Sequence, residues 1–137
     1  MYEPMDLFDY QRKATETFKP GEPLEKHDAR LCDWALGIAS ESGELAGLIK
    51  HRVFHKQKVD TLEIAKEVGD VLWYLSALCE TLHINLEDCA TLNLAKLAHR
   101  HKGSFSFDRS ENRRRLEGKF EDTKEYEEIR RRILNES

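Results

Sequence analysis

The sequence predicts an all-α protein, a four-helix-bundle-like domain followed by a short C-terminal helix. Three observations carry this. Apolar residues recur at helical spacing through most of the first hundred positions. Strand-like alternation is nearly absent. Glycine and proline are few, seven and three of 137 residues.

The elements follow in order. A first helix is expected from about Asp6 to Phe18, ended by the breaker run Lys19-Pro20-Gly21-Glu22-Pro23. A second, long helix runs from near Asp28 to about His51. Its apolar stripe comprises Leu31, Trp34, Ala35, Ile38, Ala39, Leu45, Ala46 and Ile49, with the small Ser42 among them. Asp60-Thr61-Leu62-Glu63 has the form of a capping box. It opens a third helix, which continues to about Leu82 with Ile64, Val68, Val71, Leu72, Leu75, Leu78 and Cys79 on one face. Asn85-Leu86-Glu87-Asp88 can cap a fourth helix ending near His101. Residues 102–110 read as an extended loop. Asp122-Thr123-Lys124-Glu125 can open a short, highly charged terminal helix. The expected division is a catalytic helical domain over residues 1–110 and a charged tail over 111–137.

Composition bounds the function classes. The chain is 39% hydrophobic and 35% charged, with net charge −4, an ordinary globular profile for one domain. Such a chain can bury roughly two thirds of its surface. There is no basic field to suggest nucleic-acid binding, and the arginines at 113–115 and 130–132 are interleaved with acids and read as solvated faces. No signal peptide and no membrane-spanning apolar run is evident. Cys32, Cys79 and Cys89 form no C-x-x-C pair, and Cys79 falls on an apolar stripe as a reduced core thiol. The expected compartment is the cytoplasm.

Two acidic motifs depart from this ordinary picture. The second helix holds Glu41-Ser42-Gly43-Glu44 and the third holds Glu67-Val68-Gly69-Asp70. Acids three apart on a helix repel, and a mid-helix glycine costs about 1 kcal/mol relative to alanine. At about 100° per residue, taking Leu31 as zero, Glu41 lies near 280° and Glu44 near 220°, on one flank of the second helix's stripe. Taking Ile64 as zero, Glu67 lies near 300° and Asp70 near 240° on the same flank of the third helix. A short connection favours antiparallel packing, which brings equal flanks to one side of the hairpin. A turn near residues 55 and 56 sets Glu41 level with Asp70, and Glu44 level with Glu67. Four carboxylates then converge. An all-oxygen set without cysteine or histidine suits Mg²⁺ or Mn²⁺ rather than zinc. Cations so held can polarise a phosphoryl group and activate water. The plainer reading of one E-x-x-E is solvated surface, as for Glu125 and Glu128 in the tail. Gly43 and Gly69, on that reading, only permit close helix packing.

These motifs resemble those of the MazG-like all-α nucleoside triphosphate pyrophosphohydrolases, whose hallmark is E-x-x-E on one helix and E-x-x-D on the next. Tyr10-Gln11, Leu36-Gly37, Asn93 to Leu97 and the stretch from Arg100 to Phe107 look like the family more weakly. The resemblance covers roughly residues 6–110. It implies Mg²⁺-dependent cleavage of a nucleoside triphosphate between the α and β phosphates, giving a monophosphate and pyrophosphate, in the manner of nucleotide-pool house-cleaning. It makes Glu41, Glu44, Glu67 and Asp70 the metal ligands. Glu41 and Glu44 become the catalytic pair, with Glu41 expected to help activate water. It also implies a homodimer or higher homo-oligomer. That agrees with Trp73, which lies near 180° on the third helix, opposite its stripe, and leaves apolar surface to cover.

The remaining substrate contacts are argued from the helices. Tyr74 follows Asp70 by one turn on the same flank, where it can stack on a base or meet the sugar; it reads equally as a core-edge tyrosine. Asn93, Lys96 and Arg100 form one polar stripe, and the two cations can neutralise phosphate oxygens; the plainer reading is an exposed basic edge. Lys50 is a weaker phosphate candidate. Gln11 and Trp34 are weaker base-pocket candidates, Trp34 reading as core first. A di-iron bundle needs two Glu-x-x-His motifs; the chain offers only Glu80-x-x-His83, away from the acidic flank. His51 and His55 read as surface residues. The non-enzymatic alternative is a helical dimerisation or regulatory module with an acidic cluster that binds metal or nucleotide.

Overall fold

A computed structural model describes residues 4–18, 27–101 and 118–136. The breaker run at 19–23, the loop at 102–110 and Arg113 to Arg115 lie outside them. Among the described residues every regular element is an α-helix: α1 (Leu7–Thr15), α2 (His27–Val53), α3 (Thr61–Thr81), α4 (Leu86–His101) and α5 (Lys124–Leu134). A further helical turn covers residues 118–121. The all-α expectation holds. The chain divides between His83 and Ile84 into two compact units, so α4 groups with the terminal helix.

In the first unit, α2 and α3 form an antiparallel hairpin and α1 packs on α3. Asp6 caps α1 by accepting from the Asp9 amide at 2.7 Å. The helix ends at Thr15 rather than Phe18 because Thr17 folds back, its hydroxyl donating to the Ala14 carbonyl at 2.7 Å. The Trp73 indole then donates to Thr17 Oγ1 at 2.9 Å, and Phe18 packs edge-on against Trp73. Trp73 is therefore partly covered by the end of α1 and stays half-buried, so less of it is left as open surface than the helical wheel implies. A helical wheel cannot show that a neighbouring turn folds over its far side.

The hairpin turns over residues 54–60, with Lys56 left-handed at φ 54°. The α3 capping box forms as expected. Asp60 Oδ1 accepts from the Leu62 amide at 3.2 Å, and the Asp60 amide donates to Glu63 Oε2 at 3.0 Å. Ser76, Ala77 and Cys79 are buried on α3, and Cys79 is a free thiol, as its place on the stripe suggested. Gln11, buried on α1, donates to Glu80 Oε2 at 3.0 Å, tying α1 to α3 through the acid of the lone Glu-x-x-His match.

No residue of α2 is fully buried. Its half-buried face runs through Leu31, Trp34, Ile38, Glu41 and Leu45, whereas Ala35, Ala39, Ser42, Ala46 and Ile49 are exposed. Leu36 is 70% exposed. The predicted stripe is thus wider than the face the hairpin covers.

In the second unit, Ala95 on α4 packs with Phe120 and with Ile129 on α5, flanked by Leu92, Tyr126 and Ile133. Thr123 caps α5 by accepting from the Tyr126 amide at 3.2 Å. Asn135 closes it in a left-handed conformation at φ 53°, a position asparagine tolerates. Arg132 pairs with Asp88, which is only 3% exposed on α4. Arg130 and Arg131 pair with Glu136 and Glu127, consistent with a charged solvated face.

Candidate functional site

The antiparallel hairpin aligns the flanks of α2 and α3. Carboxylate oxygens of Glu41, Glu67 and Asp70 all lie within 4.8 Å of one another. Glu41 and Glu67 are half-buried and Asp70 is exposed. Partial desolvation pushes the Glu41 carboxyl above the usual carboxylate range, and the negative charges of Glu44, Asp70 and Glu67 push it further. A carboxylate raised by its neighbours marks a concentration of negative charge that a cation would relieve. The donor set is all oxygen, which fits a hard divalent cation and offers nothing to prefer zinc.

Glu44 stands outside this group of three and is exposed. Its charge still acts on Glu41, so it belongs to the outer part of the same patch. The reason is angular: Glu44 sits about 60° further from the packing face than Glu41 and leans toward solvent.

Tyr10 on α1 lies near enough to Asp70 to feel its charge. Its phenol is half-buried, and burial, then the charge of Asp70, raise it above the ordinary tyrosine range.

Tyr74 is half-buried one turn beyond Asp70. Its ring lies across α2 at Gly37, where a Cβ would stand 2.1 Å from Cε1 and 2.3 Å from Cδ1. Only glycine accommodates that approach. Around Tyr74 the ring of Trp34 is tilted at 6.2 Å and that of Trp73 meets it edge-on at 5.0 Å. By contrast, a Cβ on Gly43 or Gly69 would meet nothing within 4 Å among the described residues. The packing reading of those two glycines is therefore corrected: within the chain, close approach occurs at Gly37. Sequence reasoning passed over Gly37 as a site-shaping residue, although the register that levels Glu41 with Asp70 also levels Gly37 with Tyr74.

Lys50 is exposed near the end of α2, about half a circuit around the helix from Glu41, so the hairpin does not bring it to the carboxylates. Asn93, Lys96 and Arg100 belong to the second unit. There Asn93 and Lys96 line a cavity of about 380 Å³ with Cys89, Leu92, Phe120 and Tyr126. Arg100 is buried on α4. His51 is half-buried with its ring 5.1 Å from that of exposed His55.

Comparison with known proteins bears on this arrangement. Residues 33–105, more than half of the chain, match the MazG nucleotide pyrophosphohydrolase domain. The chain belongs to the MazG family. The matched MazG region holds both acidic motifs, Gly37, Tyr74 and all of α4. A curated relative, the Gene 37 protein of Mycobacterium phage L5, is 35% identical over 69 residues, 47% of this chain. The chain spans about 60% of that relative's length. No solved structure matches the chain. No helix among the described residues is long and apolar enough to cross a membrane.

Proposed function

We propose that this MazG domain is a divalent-cation-dependent nucleoside triphosphate pyrophosphohydrolase, cleaving between the α and β phosphates to leave a nucleoside monophosphate and pyrophosphate. The observation that carries the reading is the convergence of Glu41, Glu67 and Asp70 from two helices within a matched MazG region. These three would hold Mg²⁺, or Mn²⁺ in its place, with Glu44 as a further ligand from the outer edge of the patch. A cation held there supplies charge neutralisation for the phosphates and acidifies bound water.

The chain's own groups do the rest. Glu41 is the carboxylate best suited to take a proton from the attacking water, since its raised affinity for protons brings it nearer to working pH. The remaining carboxylates would hold the cation against which the reacting phosphate is positioned. Tyr74 contacts the sugar or base beside them. Lys96 and Arg100 are proposed to neutralise phosphate oxygens, with Asn93 a neutral substrate contact on the same stripe; Lys50, half a circuit around α2 from Glu41, does not share the role.

The reading includes a homodimer or higher homo-oligomer, supported by the exposed apolar face of α2 through Ala35, Leu36, Ala39, Ala46 and Ile49. It also includes a cytoplasmic setting, in keeping with three free cysteines.

The test is product identification across ribo- and deoxynucleoside triphosphates with Mg²⁺. Monophosphate with pyrophosphate supports the proposal. Diphosphate with orthophosphate refutes the cleavage site. No turnover, together with no cation binding, favours the non-catalytic module instead.

A further inference from the structure

The cavity of about 380 Å³ in the second unit has two walls. Cys89, Leu92, Asn93 and Lys96 of α4 form one, and Phe120, Glu121 and Tyr126 of the terminal segment form the other. We propose that this cavity is a second ligand site, separate from the carboxylate cluster, for a small anion carrying a flat ring and a hydrogen-bond donor, the chemistry of a nucleoside monophosphate.

The site is this chain's own addition to the domain. The MazG match ends at residue 105, so the whole terminal wall lies beyond it. No lining residue belongs to the first unit, which carries Glu41, Glu67 and Asp70.

The charges on the lining are left unused by the fold. Lys96 is half-buried and Glu121 exposed, and among the described residues neither side chain makes an ion pair or hydrogen bond. A lysine drawn partly out of water without a partner is costly, and a bound anion offsets that cost. Asn93 precedes Lys96 by one turn on the same face of α4 and adds amide donors. The Glu121 carboxylate can accept from a ring N–H or a sugar hydroxyl.

The rest of the lining suits a flat ring. Leu92 and buried Phe120 are apolar, and the Tyr126 ring meets Phe120 edge-on at 5.4 Å. Rings of this kind are what a base packs against. A void left by imperfect packing is lined by apolar groups alone, whereas this one carries a cation, a carboxylate and an amide. Its volume falls within the usual range for small-molecule sites, roughly 300–1,000 Å³.

The terminal wall is also fixed in advance. The Thr123 hydroxyl donates to the Phe120 carbonyl at 2.7 Å and accepts from the Tyr126 amide at 3.2 Å, holding the two aromatic residues together. Arg132 ties the same helix to buried Asp88 on α4. Such preorganisation lowers the ordering cost of binding.

Asn93 and Lys96 are also the substrate contacts proposed above, so the test must separate a second ligand from the substrate. Binding does not depend on the pyrophosphohydrolase reading; only the regulatory sense of the site does, since a monophosphate held here would tie turnover to the level of product.

The cysteines supply the readout. Cys89 is half-buried on the lining, Cys32 is exposed and Cys79 is buried. The full-length protein, free of metal, is pulsed with iodoacetamide in the presence of deoxynucleoside monophosphates of the four bases, and separately of inorganic phosphate. Alkylation of each cysteine is followed by peptide mass spectrometry. At least one monophosphate is expected to slow modification of Cys89 saturably, with Cys32 unchanged, and inorganic phosphate to protect far less. Glu121→Gln, at an exposed position, should raise the half-protecting concentration about ten-fold, and Tyr126→Leu by a similar factor. If Tyr126→Leu loses helix content, Glu121→Gln carries the test alone. Protection that appears only with Mg²⁺, or that Glu67→Gln abolishes, places the ligand at the carboxylates and overturns the proposal. So does protection indifferent to Glu121→Gln. Triphosphate hydrolysis with no protection of Cys89 by any monophosphate overturns it too, and leaves the pyrophosphohydrolase reading standing. Metal-free protection without hydrolysis of any triphosphate does the reverse: the ligand site stands and the assigned reaction falls.

Discussion

Gly37→Ala is the sharpest mechanical test of the hairpin, because its sign depends on one neighbour. The added Cβ would lie 2.1 Å from Tyr74 Cε1 and 2.6 Å from Cζ, where ordinary contact begins at 3.4 Å. The ring must retreat by about 1.3 Å, against Trp34 and Trp73, which flank it at 6.2 and 5.0 Å. Overpacking of this kind costs about 1–3 kcal/mol. Replacing a mid-helix glycine by alanine returns about 1 kcal/mol. The net expectation is a loss of roughly 0–2 kcal/mol, measured by urea denaturation. In a Tyr74→Ala background the obstruction is gone, and Gly37→Ala should then stabilise by up to about 1 kcal/mol. The coupling between the two sites, about 1–3 kcal/mol, is the quantity of interest. Equal effects of Gly37→Ala in both backgrounds would refute the packing of Tyr74 on α2.

Further predictions concern the charge cluster, the terminal helix and the outer face of α2. Glu67→Gln should lower turnover at least about a hundred-fold, since even groups that only orient metal ligands cost 10–100-fold, and should abolish any rise in melting temperature with Mg²⁺. Glu41 holds its proton more tightly folded than unfolded. The folded state therefore binds more protons between the usual carboxylate range and the raised value, and metal-free stability falls as pH rises through that window. Melting temperature against pH, with and without Mg²⁺, should show the fall only without the cation. Arg132→Ala strips the cationic partner from buried Asp88 and should cost about 1–3 kcal/mol, read as earlier unfolding in urea. Leu36→Glu, on the exposed face of α2, should reduce the mass measured by light scattering to that of one chain while leaving helix content unchanged.

Much of this was legible in the sequence, for identifiable reasons. Helical period and capping chemistry are local, so the spans of α2, α3 and α4 and the Asp60 capping box follow from short-range pattern. The convergence of Glu41 with Asp70 follows from period plus an antiparallel turn, which fixes flank and level together. That same register also sets Gly37 against Tyr74, but a glycine carries no chemistry to draw attention to it. What pattern cannot supply is the identity of the neighbour. The α2 stripe reads as one apolar band, yet the hairpin covers only the part through Trp34, Ile38 and Leu45, leaving Ala39 and Ala46 exposed. Phe18 reads as the last turn of a helix, yet a threonine hydroxyl folds it over Trp73. The covered part of α2 and the packing of Phe18 on Trp73 both depend on contacts between segments distant in sequence.

The central claim is that Glu41, Glu67 and Asp70 together hold a divalent cation. A Mn²⁺ titration followed by electron paramagnetic resonance addresses it directly, comparing the wild-type chain with Glu41→Gln, Glu67→Gln and Asp70→Asn. The account predicts saturable loss of the free-ion signal with the wild type and much weaker binding for each of the three variants at unchanged helix content. Undiminished binding in all three would contradict it.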